Sequence, residues 1–174
     1  MQQFVFNSNS TFNGFGIKDA LKKLLDNDFP VVLCIGSDLA LGDSLGPLIG
    51  TKISSVLKGK CYVYGTLNST VTAKECNTVC NNVKSLHPKS KIIAIDAAVG
   101  NVEDVGVIKV QNIGIKPGFG VGKDLKEIGD VSIIAIMGDK KNGLKNITSG
   151  IRLSQVNSIS DKIASAIIDL FENK

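Results

Sequence analysis

Val31-Val32-Leu33-Cys34-Ile35-Gly36 decides the fold: an unbroken apolar run, rich in β-branched residues, stops on a glycine. A run this short and without polar alternation suits a strand buried on both faces, because a strand with one wet face would carry polar side chains at every second position. Runs of similar kind recur along the chain. Lys60 to Tyr64 reads as a second strand, Ile92-Ile93-Ala94-Ile95 ending in Asp96 as a third, Val107 to Val110 as a fourth with some alternation, and Val131 to Met137 as a fifth.

The segments between these runs carry helical spacing. Ile17, Leu21, Leu24 and Leu25 recur between lysines and aspartates, and Pro30 closes that segment. After the loop Gly36 to Gly42, Ser44 is expected to cap a helix that turns Leu48, Ile49, Ile53, Val56 and Leu57 inward, with Pro47 tolerated in its first turn and Gly59 at its end. Thr72-Ala73-Lys74-Glu75 has capping-box spacing, and Cys76, Val79, Cys80, Val83 and Leu86 form the stripe of the helix it opens, with His87-Pro88 at the exit. From Ser154, the positions Val156, Ile159, Ile163, Ile167, Leu170 and Phe171 predict a terminal helix lying across the sheet.

Short buried strands alternating with helices predict an α/β fold of three layers, α/β/α, around a mostly parallel sheet. In such sheets the functional crevice lies beyond the carboxyl ends of the strands. The chain of 174 residues is expected to form one domain, 1–174, with 1–14 as an N-terminal arm that packs a phenylalanine or two on the body.

Composition narrows the function. No apolar stretch approaches the roughly 18 residues of a membrane span, and the start lacks a secretory signal, so a cytoplasmic protein without a membrane partner is expected. The formal charge of +4 comes from scattered lysines such as the pairs Lys22-Lys23 and Lys140-Lys141, not from a cluster, which argues against nucleic acid as a partner. The cysteines Cys34, Cys61, Cys76 and Cys80 form no CxxC pair, and the single histidine, His87, sits at a helix exit. A Cys/His zinc site and a Ser-His-Asp arrangement therefore lack support, as do Walker and GxSxG motifs.

Two carboxylates fall where the crevice should be: Asp43, in the loop entering a helix, and Asp96, closing the third strand. Helix amides favour the charged form of Asp43, whereas the apolar run before Asp96 favours its neutral form, and such inequality lets one act as base and the other as acid. Either residue is equally at home as a helix cap or a loop anchor. Gly36 and Ser37 begin the loop that carries Asp43. The stretch Asn112 to Lys123 contains Gly114, Lys116, Gly118, Phe119 and Gly120, whose glycines let backbone amides approach an anion or a peptide backbone closely, or simply make a tight turn. No residue demands a cofactor, although two carboxylates can hold a hard divalent ion with waters completing its shell.

Three blocks carry a family resemblance: IGSDLALGDSLGPLIG from Ile35, KIIAIDAAVG from Lys91, and VIKVQNIGIKPGFGVGKDLKEIGDVSIIAIMG from Val107. In this order they resemble the bacterial germination protease that degrades small acid-soluble spore proteins, and the compact length resembles the sporulation family of YyaC-type spore proteases. The resemblance implies a fold shared with hydrogenase-maturation peptidases, where acidic residues and a histidine in comparable loops engage a metal. It also implies a sporulation-linked peptidase acting on a protein or peptide, with Asp43 and Asp96 matching the family's aspartate pair. The glycine stretch departs from the family, with Lys116 and Phe119 where a histidine and a serine stand in the germination protease. That departure favours the alternative of a noncatalytic peptide-binding or regulatory protein on the same scaffold.

Overall fold

The computed structural model of the protein describes residues 1–10, 13–25, 29–116, 127–142 and 151–172. In chain order the elements are β1 (Gln3–Asn7), α1 (Asn13–Leu25), β2 (Val31–Cys34), α2 (Leu45–Val56), β3 (Val63–Tyr64), α3 (Cys76–Leu86), β4 (Ile92–Gly100), β5 (Val107–Gln111), β6 (Val131–Asp139) and α4 (Leu153–Glu172). They form a 6-stranded sheet in the order β1-β5-β6-β4-β2-β3. β2 pairs in parallel with β3 and β4, and β4 with β6, while β5 runs antiparallel to both of its neighbours.

Alternation along the central strands sorts their side chains into two cores, as a sheet covered on both faces requires. Val32, Cys34, Ile93 and Ile95 face α1, α2 and α4, and Val31, Leu33, Ile35, Ile92 and Ala94 face α3. The three-layer architecture expected from the sequence is therefore present. All six apolar positions that predicted the terminal helix are buried in α4.

Several local expectations are corrected. The 1–14 arm packs its phenylalanines on the core as expected, but Gln3–Asn7 within it is a strand, with β1 pairing Phe4 with Val110 and Phe6 with Ile108. Ser44 stands at the N-cap position but makes no side-chain cap, because its own backbone is already helical and its hydroxyl donates to the Leu41 carbonyl at 2.6 Å. Val56 and Leu86 lie on the exposed sides of their helices. Thr72 and Glu75 do meet, through the Thr72 amide and hydroxyl donating to the Glu75 carboxylate at 3.2 and 2.6 Å, one turn ahead of α3. Among the described residues, no helix is long and apolar enough to cross a membrane.

Candidate active site

The chain leaves β2 toward β3 on one side and returns through α3 to β4 on the other, so the strand order reverses between β2 and β4. In open α/β sheets such a reversal is where ligands are received, at the carboxyl ends of the two flanking strands. The Ile35 amide still donates to the Ile95 carbonyl at 2.8 Å, but the Gly36 amide turns away to Val71 at 2.9 Å. Asp96 is therefore the first residue of β4 without β2 beside it. Contrary to expectation it does not end its strand, which continues to Gly100 against β6. Alternation puts the Asp96 side chain on the α3 face, in line with Ile92 and Ala94.

The other wall is the loop from Gly36 to Ser44, closed into a tight neck. The Ser37 amide donates to the Asp43 carbonyl at 3.2 Å, and the Ser44 amide to the Ala40 carbonyl at 3.0 Å. Gly36 has φ +144, and a Cβ there would lie 2.1 Å from the Asp43 carbonyl oxygen, so only glycine lets the neck close. Gly46 allows a similar close approach at the start of α2: a Cβ on it would lie 2.1 Å from the Ile35 carbonyl oxygen, so the helix begins directly on top of β2. Asp43 is thus held in the loop after β2, half-buried and within electrostatic reach of Asp96.

Asp96 feels the charge of Asp43. Burial, then the neighbouring Asp43 charge, pushes the Asp96 carboxyl up from 3.8 to about 8, against the pull of the Ala97 amide, which donates to its Oδ1 at 2.8 Å. Burial also raises Asp43, with the Ser37 amide partly offsetting it. The apolar run before Asp96 already pointed to the direction of its shift. For Asp43 the expectation was that helix amides would favour the charge, but desolvation in the neck outweighs them.

Cys76, the first residue of α3, closes the site from below. Its buried thiol lies within electrostatic reach of Asp96, donates to the Ala73 carbonyl at 3.2 Å, and is pushed up to about 11, chiefly by burial. The sequence placed it correctly on an apolar stripe, but nothing in that stripe indicated which carboxylate the helix start would approach.

Gly36 and Ser37 stand at this site. Gly114 reaches the same face more remotely: a Cβ on it would lie 2.8 Å from the Gly129 carbonyl oxygen, and one on Gly129 2.8 Å from the Ala94 Cβ, two residues before Asp96. Lys116 is exposed just beyond the Ile115–Ile128 bridge. Gly118, Phe119 and Gly120 lie outside the described residues. Among the described residues no group of three or more His, Cys, Asp or Glu side chains is placed to hold a metal ion. His87 lies at the far end of α3, hydrogen-bonded to the Tyr64 hydroxyl at 2.9 Å through Nε2 and packed against the Tyr62 ring at a tilt of 41°.

The three-layer arrangement is similar to that of a solved structure. The crystal structure of the [NiFe] hydrogenase maturation protease HycI from Thermococcus kodakarensis KOD1 matches 91% of this chain and 99% of its own with a TM-score of 0.59, and at 14% identity the likeness is one of fold. By sequence the chain belongs to the family described as "Protein of unknown function (DUF1256)", which matches residues 5–166. It is 41% identical over 118 residues to the "Uncharacterized protein YyaC" of Bacillus subtilis (strain 168). That match covers 68% of this chain and 54% of the relative, so the chain spans about half the length of the curated protein it matches.

Proposed function

We propose that this chain is an aspartate-dependent peptidase acting on a protein or peptide substrate in a sporulation setting. The observation that carries the reading is the pressure that the Asp43 charge exerts on the buried Asp96 carboxyl at the switch point of a peptidase-like sheet. In the proposed reaction Asp96, protonated at neutral pH, donates its proton to the carbonyl oxygen of the scissile amide. Ionised Asp43, eased by the Ser37 amide, takes a proton from the attacking water. Asp43 then gives its proton to the leaving amine as the C–N bond breaks, while Asp96 takes one back from a hydroxyl of the collapsing tetrahedral diol, so the product acid forms and the pair ends as it began. Sharing one proton between two carboxyl groups is the familiar outcome when like charges cannot both form at close range.

The sporulation setting and a spore-protein substrate rest on the motif resemblance alone. The test is to incubate the purified chain with spore proteins and unstructured peptides across pH 5 to 9. Asp43→Asn or Asp96→Asn should each lower cleavage by about 100-fold or more. Absence of any cleavage above the variants would defeat the reading and leave a binding protein on a peptidase scaffold.

A further inference from the structure

The same edge of the sheet carries a second concavity, at its other side. A cavity of about 190 Å³ is lined by Ser8 and Gly106 and by Ser154, Gln155 and Ser158 from the first two turns of α4, with Ile159 among its apolar walls. The Gly106 amide donates to the Ile136 carbonyl at 2.8 Å, which puts the cavity at the carboxyl end of β6. β5 lies two strand spacings from β4, so the cavity is about 10 Å or more from Asp96 and distinct from the aspartate site.

The lining has a consistent chemical character. Serine hydroxyls and the Gln155 amide nitrogen are donors, the Gln155 Oε1 being already used by the Arg152 amide at 3.2 Å, and among the described residues no acidic side chain lines the space. α4 spans Leu153–Glu172, and although its Gln155 and Val156 amides already donate to the Arg152 carbonyl at 3.0 and 3.2 Å, its start brings the positive end of a long helix to the cavity.

Ser8 supplies an independent sign of a ligand. It is 9% exposed, and its backbone is fully used: its amide donates to the Gly106 carbonyl at 2.9 Å and its carbonyl accepts from the Lys162 ammonium. Its hydroxyl has no hydrogen-bond partner among the described residues. That hydroxyl lies against Gly106, another lining residue, where a Cβ would come within 2.8 Å of it. A nearly buried hydroxyl is ordinarily partnered, so one left open toward a donor-lined cavity asks for an acceptor.

We infer that the cavity between Ser8 and the start of α4 binds a small oxyanion, of the phosphate or carboxylate class, through the Ser8, Ser154 and Ser158 hydroxyls at the positive end of the helix. The inference is independent of the peptidase reading, since none of these residues belongs to the aspartate site. Isothermal titration of the full chain with inorganic phosphate, sulfate and acetate in an anion-free organic buffer tests it. Saturable binding is expected, weakened about tenfold or more in Ser8→Ala, as loss of a hydrogen bond to a charged group implies. Ser158→Leu, an exposed helix position where leucine fills the mouth, should abolish binding even if Ser8→Ala folds poorly. Preference for phosphate and sulfate would assign a tetrahedral ligand, and preference for acetate a carboxylate. No saturable binding of any of the three, or binding unchanged in both variants, would overturn the inference.

Discussion

Asp96→Asn should make the protein more stable, and increasingly so as the pH rises. The carboxyl stands at about 8 in the folded protein against an ordinary 3.8, so the unfolded chain releases this proton first. Stability contributed by protonated Asp96 is therefore complete below about 3.8 and is lost progressively until about 8. Each pH unit between removes up to about 1.4 kcal/mol, and the whole interval is worth on the order of 5 kcal/mol. Asp96 is half-buried and not sealed, and water reaching it trims the effect, so a difference of about 3 kcal/mol at pH 9 is the working figure. Asparagine keeps the acceptor for the Ala97 amide at 2.8 Å and carries no charge. Urea unfolding of both proteins from pH 4 to pH 9 isolates the effect, because other titrating groups are common to the two. The curves should converge at the acid end and separate steadily above it. Parallel curves would refute the placement of Asp96 in a desolvated site facing a second carboxylate.

Gly46→Ala reverses an ordinary expectation: alanine usually favours a helix over glycine by about 1 kcal/mol. Here its Cβ meets the Ile35 carbonyl oxygen at 2.1 Å, so urea denaturation should show a loss of about 2 kcal/mol or more as α2 is pushed off β2. Glu75→Ala removes the carboxylate that accepts from the Thr72 amide and hydroxyl and should cost about 0.5–1 kcal/mol in the same assay. Lys52→Met breaks the ion pair to Asp161 at 2.5 Å, yet the partners are 26% and 56% exposed, so thermal unfolding should register no more than about 1 kcal/mol.

The central strands were legible because residues buried on both faces must be apolar throughout, and Val31 to Ile35 and Ile92 to Ile95 leave no other reading. The stripe of α4 was equally plain. β1 escaped because it lies at the sheet edge: Phe4 and Phe6 alternate with exposed Gln3, Val5 and Asn7, and five residues of alternation in an Asn- and Ser-rich context look like coil. The end of β4 was misjudged because the break in apolar character at Asp96 marks where β2 departs, while β6 goes on pairing to Gly100. The two aspartates could be singled out from their positions after strands, but their opposition depends on the reversal of strand order between β2 and β4, which no local pattern encodes. The net direction at Asp43 was missed for a related reason, since the depth of its neck is set by Gly36 closing on its carbonyl across the loop.

Carbon-13 NMR titration of the Asp96 side-chain carboxyl, in the wild type and in Asp43→Asn, tests the carboxylate pair most directly. The wild-type group should titrate far above the ordinary 3.8, near 8, and its midpoint should fall when the Asp43 charge is removed. A midpoint in the ordinary carboxylate range, or one indifferent to Asp43→Asn, would contradict the pairing on which the proposed chemistry stands.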